Sequence, residues 1–378
     1  MGIPFSRSPI APNSATYISH ALDKKVSGDG DFTEKCSRWI ERRFGVTKAL
    51  LTTSCSHALD MAAYLCGICE GDEVIMPSYT FSSTANAFVR CGAKIVFVDI
   101  RPDTMNINEA LIESAITEKT RAIVPVHYAG VSCEMDTINS IAERYNLFVV
   151  EDAAQGAMAE YNGVSLGNLG NYGCFSFHDT KNFSMGEGGA LLIRDIDCIH
   201  AAEVIREKGT NRSRFFRGEI DKYSWVSWGS SYLPSEINAA YLWSQFEIAD
   251  EINNERLKIW NQYYVALSPL AEKGLVELPY IPEACRHNAH IFYIKVTNSD
   301  VQAGLLSYLK NAGIGAVFHY VPLHSSEAGH KYGVFHGEDI YTTKESSRLI
   351  RLPMYYGLLP SEALRVTDSI ATFYNSMT

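Results

Sequence analysis

The stretches LFVVEDAAQG at 147–156 and GCFSFHDTKNFSMGEGG at 173–189 decide how this chain reads. The first apolar run ends in an acid, Asp152. The second, 174–177, delivers a lysine, Lys181, four residues after it ends. Two strands that end side by side bring such an acid and such a lysine together, because the carboxyl ends of parallel strands are where open α/β sheets gather ligands.

Working outward, the surrounding sequence has the rhythm of such a sheet. Short apolar runs at 73–76, 94–98, 122–126, 148–151, 173–177 and 189–193 read as strands. Between them, 56–65, 82–90, 109–115 and 135–145 carry the spacing of amphipathic helices. The alternation predicts an α/β fold: a mostly parallel central sheet with helices on both faces. The segment KGTNRSRFFRGEIDKYSWVSWG, 208–229, breaks the rhythm and reads as a long basic, aromatic loop. A long helix is expected from 234 to about 264. Beyond it, strands at 289–296 and 315–318 and helices near 301–311, 343–351 and 361–376 suggest a smaller α+β unit. The expected division is a large domain over 1–233, a connecting helix over 234–270 and a small C-terminal domain over 271–378.

Composition narrows the function classes. The chain has 378 residues, enough for two domains, with 46% hydrophobic and 20% charged residues. A formal net charge of −10 argues against a nucleic-acid polymer as partner. No run approaches the roughly 18 apolar residues of a membrane span, so no membrane insertion is expected. The first residues lack the apolar core of a signal peptide, and the nine cysteines are odd in number and scattered. Both point to a reducing, cytoplasmic compartment. Cys66-Gly-Ile-Cys69 closes an apolar helix and reads as core, and His287-x-x-His290 is an isolated pair, so no metal is expected.

The acid and the lysine together match the needs of pyridoxal phosphate. Its aldehyde takes a lysine amine as an imine, and its pyridine nitrogen stays protonated beside a carboxylate. Lys181 and Asp152 are therefore the catalytic candidates. Gln155 is placed to reach the ring's phenolic oxygen. Thr52-Thr53-Ser54-Cys55-Ser56-His57 precedes an apolar helix, and hydroxylated residues at a helix N-terminus suit a phosphate. Ser176 offers a further hydroxyl, and Phe81 an aromatic face to stack on the ring.

These motifs resemble the DegT/DnrJ/StrS family of fold-type I, pyridoxal-phosphate-dependent nucleotide-sugar aminotransferases. The resemblance spans the chain: GDGDFTEKCSRWIERRFG, TSCSHALDMAA, GDEVIMPSYTFSSTANAF, VPVHYAG, VVEDAAQ, CFSFHDTKN, GEGGAL, SSYLPSEINAAYLWSQ and HYVPLH. REKGTNRSRFFRG and FHGEDIYTTKES are similar to the subgroup that makes dTDP-4-amino-4,6-dideoxygalactose for enterobacterial common antigen.

The resemblance implies that Lys181 holds the cofactor, that Asp152 faces the pyridine nitrogen and that Gln155 lies near the 3-hydroxyl. Phe81 stacks on the ring. Cys55, Ser56, His57 and Ser176 hold the phosphate. It also implies L-glutamate as amino donor, a dTDP-4-keto-6-deoxyhexose as acceptor, and a homodimer with shared active sites. Substrate contacts are expected from His178, His319 and Tyr320, and from Lys208, Arg212, Arg214 and Arg217 in the basic loop. Two departures stand out. Cys55-Ser56-His57 replaces a usual Gly-Thr-Ala, and Ser231-Tyr232-Leu233 replaces a frequent Asn-Tyr-Arg that reaches the partner. Lys181 separates the chain from the dehydratase branch, which carries histidine there. Amination at C3, the gluco epimer, and a cofactor-binding regulator without turnover remain as alternative readings.

Overall fold

The computed structural model describes residues 2–376. In chain order the strands are β1 (Lys48–Thr52), β2 (Glu73–Pro77), β3 (Lys94–Val98), β4 (Thr120–Ile123), β5 (Phe148–Asp152), β6 (Glu160–Tyr161) and β7 (Val164–Ser165). They continue with β8 (Tyr172–Ser176), β9 (Gly189–Ile193), β10 (Val276–Glu277), β11 (Cys285–Arg286), β12 (Phe292–Val296), β13 (Gly333–Phe335) and β14 (Leu349–Leu352). The helices are α1 (Ser14–Lys24), α2 (Asp31–Phe44), α3 (Cys55–Leu65), α4 (Ser82–Val89), α5 (Met135–Tyr145), α6 (Ile199–Arg206) and α7 (Arg212–Phe216). Next come α8 (Glu236–Phe246), α9 (Ala249–Glu272), α10 (Ser299–Asn311), α11 (Glu327–Tyr332), α12 (Thr342–Ser346) and α13 (Pro360–Asn375).

One large sheet runs in the order β1-β9-β8-β5-β4-β2-β3-β13. Its pairings are parallel except where β9 lies antiparallel to β1 and β8. The exception has a local cause. No helix separates β8 from β9, so the chain returns through a loop, with Gly186 in the left-handed region at φ 75°. That loop carries Lys181.

Successive strand residues point to opposite faces and feed separate cores. Val74, Met76 and Val150 pack with Leu59, Ala62, Phe88 and Ile205 of α3, α4 and α6. Ile75, Val96 and Val149 pack with Ile138 and Ile141 of α5. Phe175 and Leu192 meet Ile40 of α2 and Leu242 of α8. Glu236 of α8 is buried, and its carboxylate accepts the N–H groups of Gly30, Phe32 and Thr33 at 2.8–3.0 Å. It thereby caps α2, whose own N-cap residue, Gly30, has no side chain to do so.

The C-terminal part builds a second, antiparallel sheet, β10-β12-β14, covered by α9, α10 and α13. Val366 and Ile370 of α13 are fully buried in its core, each contributing about 1.5–3 kcal/mol. Strand β13 leaves this unit and pairs in parallel with β3 of the large sheet. Asp99, just past β3, accepts the N–H groups of Ile340, Tyr341 and Thr342 at the start of α12. These contacts hold the two parts together.

Several local expectations change. The run 109–115 forms two 3-10 turns instead of a helix. The helix expected over 234–264 is two helices, with the break at Glu247 and Ile248. The 343–351 helix stops at Ser346. The apolar Leu349–Leu352 then pairs with β12, whose buried edge outweighs helix propensity there. At 315–318 only Val317 bridges Arg351. Strand β1, not anticipated, closes the edge of the sheet. Among the described residues no helix is long and apolar enough to cross a membrane.

Candidate active site

Strands β1, β2, β5 and β8 aim their carboxyl ends at one cleft of about 610 Å³. Asp152 is the last residue of β5, Ser176 the last of β8, and Phe81 and Ser54 follow β2 and β1. Such a volume suits a small cofactor together with part of a substrate.

The β5 end is fixed from below. Glu151 is fully buried, and its carboxylate accepts N–H groups from Gly167, Leu169 and Gly170 at 2.6–2.7 Å and meets His127 Nε2 at 2.9 Å. Asp152, the next residue, points the other way, into the cleft. Its Oδ2 accepts from Thr84 Oγ1 at 2.6 Å and its Oδ1 from the Ala154 N–H at 3.1 Å. Among the described residues no cationic side chain pairs with it. A carboxylate 5% exposed, held by two neutral donors and without an ion pair, is suited to a positive partner bound in the cleft.

Lys181 closes a turn in which its N–H bonds the His178 carbonyl at 2.9 Å. Burial lowers its amine to a pKa of about 8. Cys55 and Asp152 pull the value up and Arg351 pushes it down. An amine so shifted is a usable nucleophile and base near neutral pH.

The start of α3 forms the third wall. Ser54 is the N-cap, and its Oγ accepts the His57 N–H at 3.1 Å. The Ala58 N–H takes the Ser54 carbonyl. The N–H groups of Cys55 and Ser56 are left without an intrahelical acceptor, at the positive end of a helix. Gly189 makes this approach possible: a Cβ there would lie 2.4 Å from the Cys55 nitrogen. Ser56 Oγ bonds Ser83 Oγ at 2.6 Å, joining α3 to α4.

Lys181, Asp152, Cys55, Ser56, Phe81, Gln155, Ser176, His178, His319 and Tyr320, all expected from the sequence, line this one cleft. Gln155 accepts the Ala129 N–H at 2.7 Å and turns its Nε2 toward Tyr320 Oη at 3.3 Å. Phe81, 59% exposed, stands at the mouth.

Five expected residues do not join them. His57 turns its ring to Tyr232 and bonds Thr53, so it does not line the cleft. Lys208 and Arg212 face the buried Glu207, and Arg214 is paired with Glu219. Arg217, of the same loop, pairs with Glu203 and Glu219. Within one chain these four loop cations pair with Glu203, Glu207 and Glu219 and do not line the cleft.

Thr84, Thr80, His290 and Arg351 were not anticipated. Thr84 lies in the hydroxyl-rich SSTANAF, but only the first turn of α4 aims it at Asp152. His290 is tied to Asn182 at 2.9 Å. Its former pair-mate His287 packs on Trp260. Among the described residues no group of three or more metal-ligating side chains is placed to hold a metal.

Residues 10–371 match the DegT/DnrJ/EryC1/StrS aminotransferase family. The chain belongs to that family. A curated relative, the spore coat polysaccharide biosynthesis protein SpsC of Bacillus subtilis, is 29% identical and covers 97% of this chain and 96% of its own. A DegT/DnrJ/EryC1/StrS aminotransferase of Brucella abortus superposes with a TM-score of 0.87 at 29% identity, over 96% of this chain and 95% of that one. Spr1654 of Streptococcus pneumoniae, solved in a PLP form, gives a TM-score of 0.89 at 23% identity over the full length of both chains. The fold is therefore that of fold-type I transferases.

The residues present fit pyridoxal phosphate. Two open N–H groups and Ser176 suit the phosphate, an unpaired carboxylate suits the pyridinium, and a lysine of lowered pKa suits the aldehyde.

Proposed function

We propose that this family member is a pyridoxal-phosphate-dependent aminotransferase that moves an amino group from L-glutamate to C4 of dTDP-4-keto-6-deoxy-D-glucose. The product is the galacto amine, dTDP-4-amino-4,6-dideoxy-D-galactose. The observation that carries the reaction class is the convergence of Lys181 and Asp152 on one cleft. The choice of sugar rests on the subgroup motifs of the sequence.

Pyridoxal phosphate, when bound, supplies the aldehyde that carries the amino group and a ring that accepts electrons. Lys181 Nζ would hold that aldehyde carbon, and as a free amine it would be the base that takes the proton from the donor's α-carbon, a role worth about 10²–10⁴-fold. Asp152, braced by Thr84 and Ala154, holds a proton on the ring nitrogen. The Cys55 and Ser56 N–H groups and Ser176 anchor the phosphate. Phe81 covers a ring face and limits water.

The loop cations do not face the cleft of their own chain. Its aromatic side chains are exposed, Trp225 at 78% and Phe216 at 67%. Both support a homodimer in which this loop serves a site shared with a second copy. The enzyme works in the cytoplasm on this reading.

The test is incubation of the purified protein with glutamate and dTDP-4-keto-6-deoxyglucose. NMR of the product should show nitrogen at C4 with axial, galacto configuration. An equatorial C4 amine, or nitrogen at C3, would replace this assignment with one of the alternatives.

A further inference from the structure

Arg351 is a buried cation without an anion. It is 9% exposed and lines the same cleft as Lys181. Among the described residues it forms no ion pair, and its Nε has no hydrogen-bond partner. Its guanidinium stacks on the Phe5 ring at 4.7 Å. Its Nη1 meets His319 Nε2 at 3.1 Å.

A guanidinium nitrogen only donates, so His319 Nε2 must accept and the ring proton sits on Nδ1. That proton faces Tyr128 Oη at 3.1 Å. Burial, then Arg351 and Lys181, hold the His319 imidazole neutral. The neighbours thus orient Arg351 without cancelling its charge. Burying an uncompensated charge is costly unless a partner arrives.

We propose that Arg351 anchors a carboxylate of the amino donor, holding it beside Lys181. The proposal rests on the aminotransferase reading above and names the residue that recognises the donor. A planar guanidinium that forms no ion pair among the described residues and lines the cleft matches a carboxylate's two oxygens. The donor's α-carboxylate is attached to the carbon that loses its proton to Lys181, so its anchor belongs close to that amine. A nucleotide sugar carries its diphosphate on C1, across the ring from the reacting C4, and that group belongs farther from Lys181.

Arg351→Gln and Arg351→Lys separate the possibilities in the cofactor-loaded enzyme. The KM for glutamate should rise about 10–100-fold in Arg351→Gln, while the KM for the keto sugar changes little. Arg351→Lys should recover part of the loss. Glutarate, a dicarboxylate without an amine, should raise the thermal midpoint of the wild type, and Arg351→Gln should abolish that shift. A raised KM for the sugar nucleotide with glutamate unaffected would assign Arg351 to the diphosphate and overturn the proposal. Unchanged KM values with the glutarate shift intact would also overturn it.

If the variants do not fold, phenylglyoxal labelling of the wild type decides. Glutarate should protect Arg351, and absence of glutarate-dependent protection at that residue refutes the anchor. A wild type that moves no amino group from glutamate fails the function proposed above. A wild type that does, with these results negative, fails the anchor alone.

Discussion

Replacing Lys181 with methionine should stabilise the cofactor-free protein. The amine is placed where burial lowers its pKa from 10.5 to about 8. At pH 7 the lysine is protonated in both folded and unfolded chains, and the folded state bears the cost of the buried charge. A shift of this size corresponds to about 3 kcal/mol at 1.36 kcal/mol per pH unit. Methionine keeps most of the aliphatic stem and removes the charge, so it should recover up to that amount. The pH dependence fixes the cause. Between about pH 8 and 10.5 the unfolded chain still binds the proton that the folded chain has released, so wild-type stability gains on the variant as pH rises. Urea unfolding of both cofactor-free proteins at pH 7, 9 and 10.5 measures the gap. It should be widest at pH 7 and close toward pH 10.5. A variant less stable than the wild type at pH 7, or a gap that does not move with pH, would refute the reasoning.

Thr84→Val removes the 2.6 Å bond to Asp152 and should slow the glutamate half-reaction about 10-fold, read by stopped-flow absorbance. Asp152→Asn should slow it further while leaving cofactor uptake in place. Gly189→Ala puts a Cβ 2.4 Å from the Cys55 nitrogen, so it should lower stability by about 1–3 kcal/mol and weaken cofactor affinity in an absorbance titration. His287 is lowered to about pKa 4 by burial, and His290 and His319 are lowered too. Below pH 6.5 the unfolded chain takes up protons that these folded rings refuse, so stability falls as pH drops. His287 alone accounts for about 2 kcal/mol between pH 7 and 5, and His287→Gln should lose that share in urea titrations.

Much of the site was legible because it sits where two periodicities meet. An apolar run ending in Asp152 and another leading to Lys181 place both at strand ends, whatever the exact boundaries. The phosphate wall was readable from Ser54 and its neighbours for the same reason: a helix start announces its free N–H groups. Arg351 and Thr84 gave no such signal. Arg351 stands among apolar residues in RLIRLP, and only the pairing of β14 with β12 and the bridge to Val317 bring it to the cleft. Thr84 depends on the rotation of α4. The basic loop misled for a related reason, since the acids that neutralise Lys208, Arg212 and Arg217 lie in α6 and at its end. The direction of β9 was equally hidden: an apolar strand has the same composition in either orientation, and the missing helix before it was the only clue.

The account rests on a covalent link between Lys181 and the cofactor. Borohydride reduction of the pyridoxal-phosphate-loaded protein, followed by protease digestion and mass spectrometry, tests it directly. The phosphopyridoxyl mass should appear on the peptide containing Lys181 and disappear when glutamate is added before the reductant. Label on another lysine, or no uptake of the cofactor by the pure protein, would contradict it.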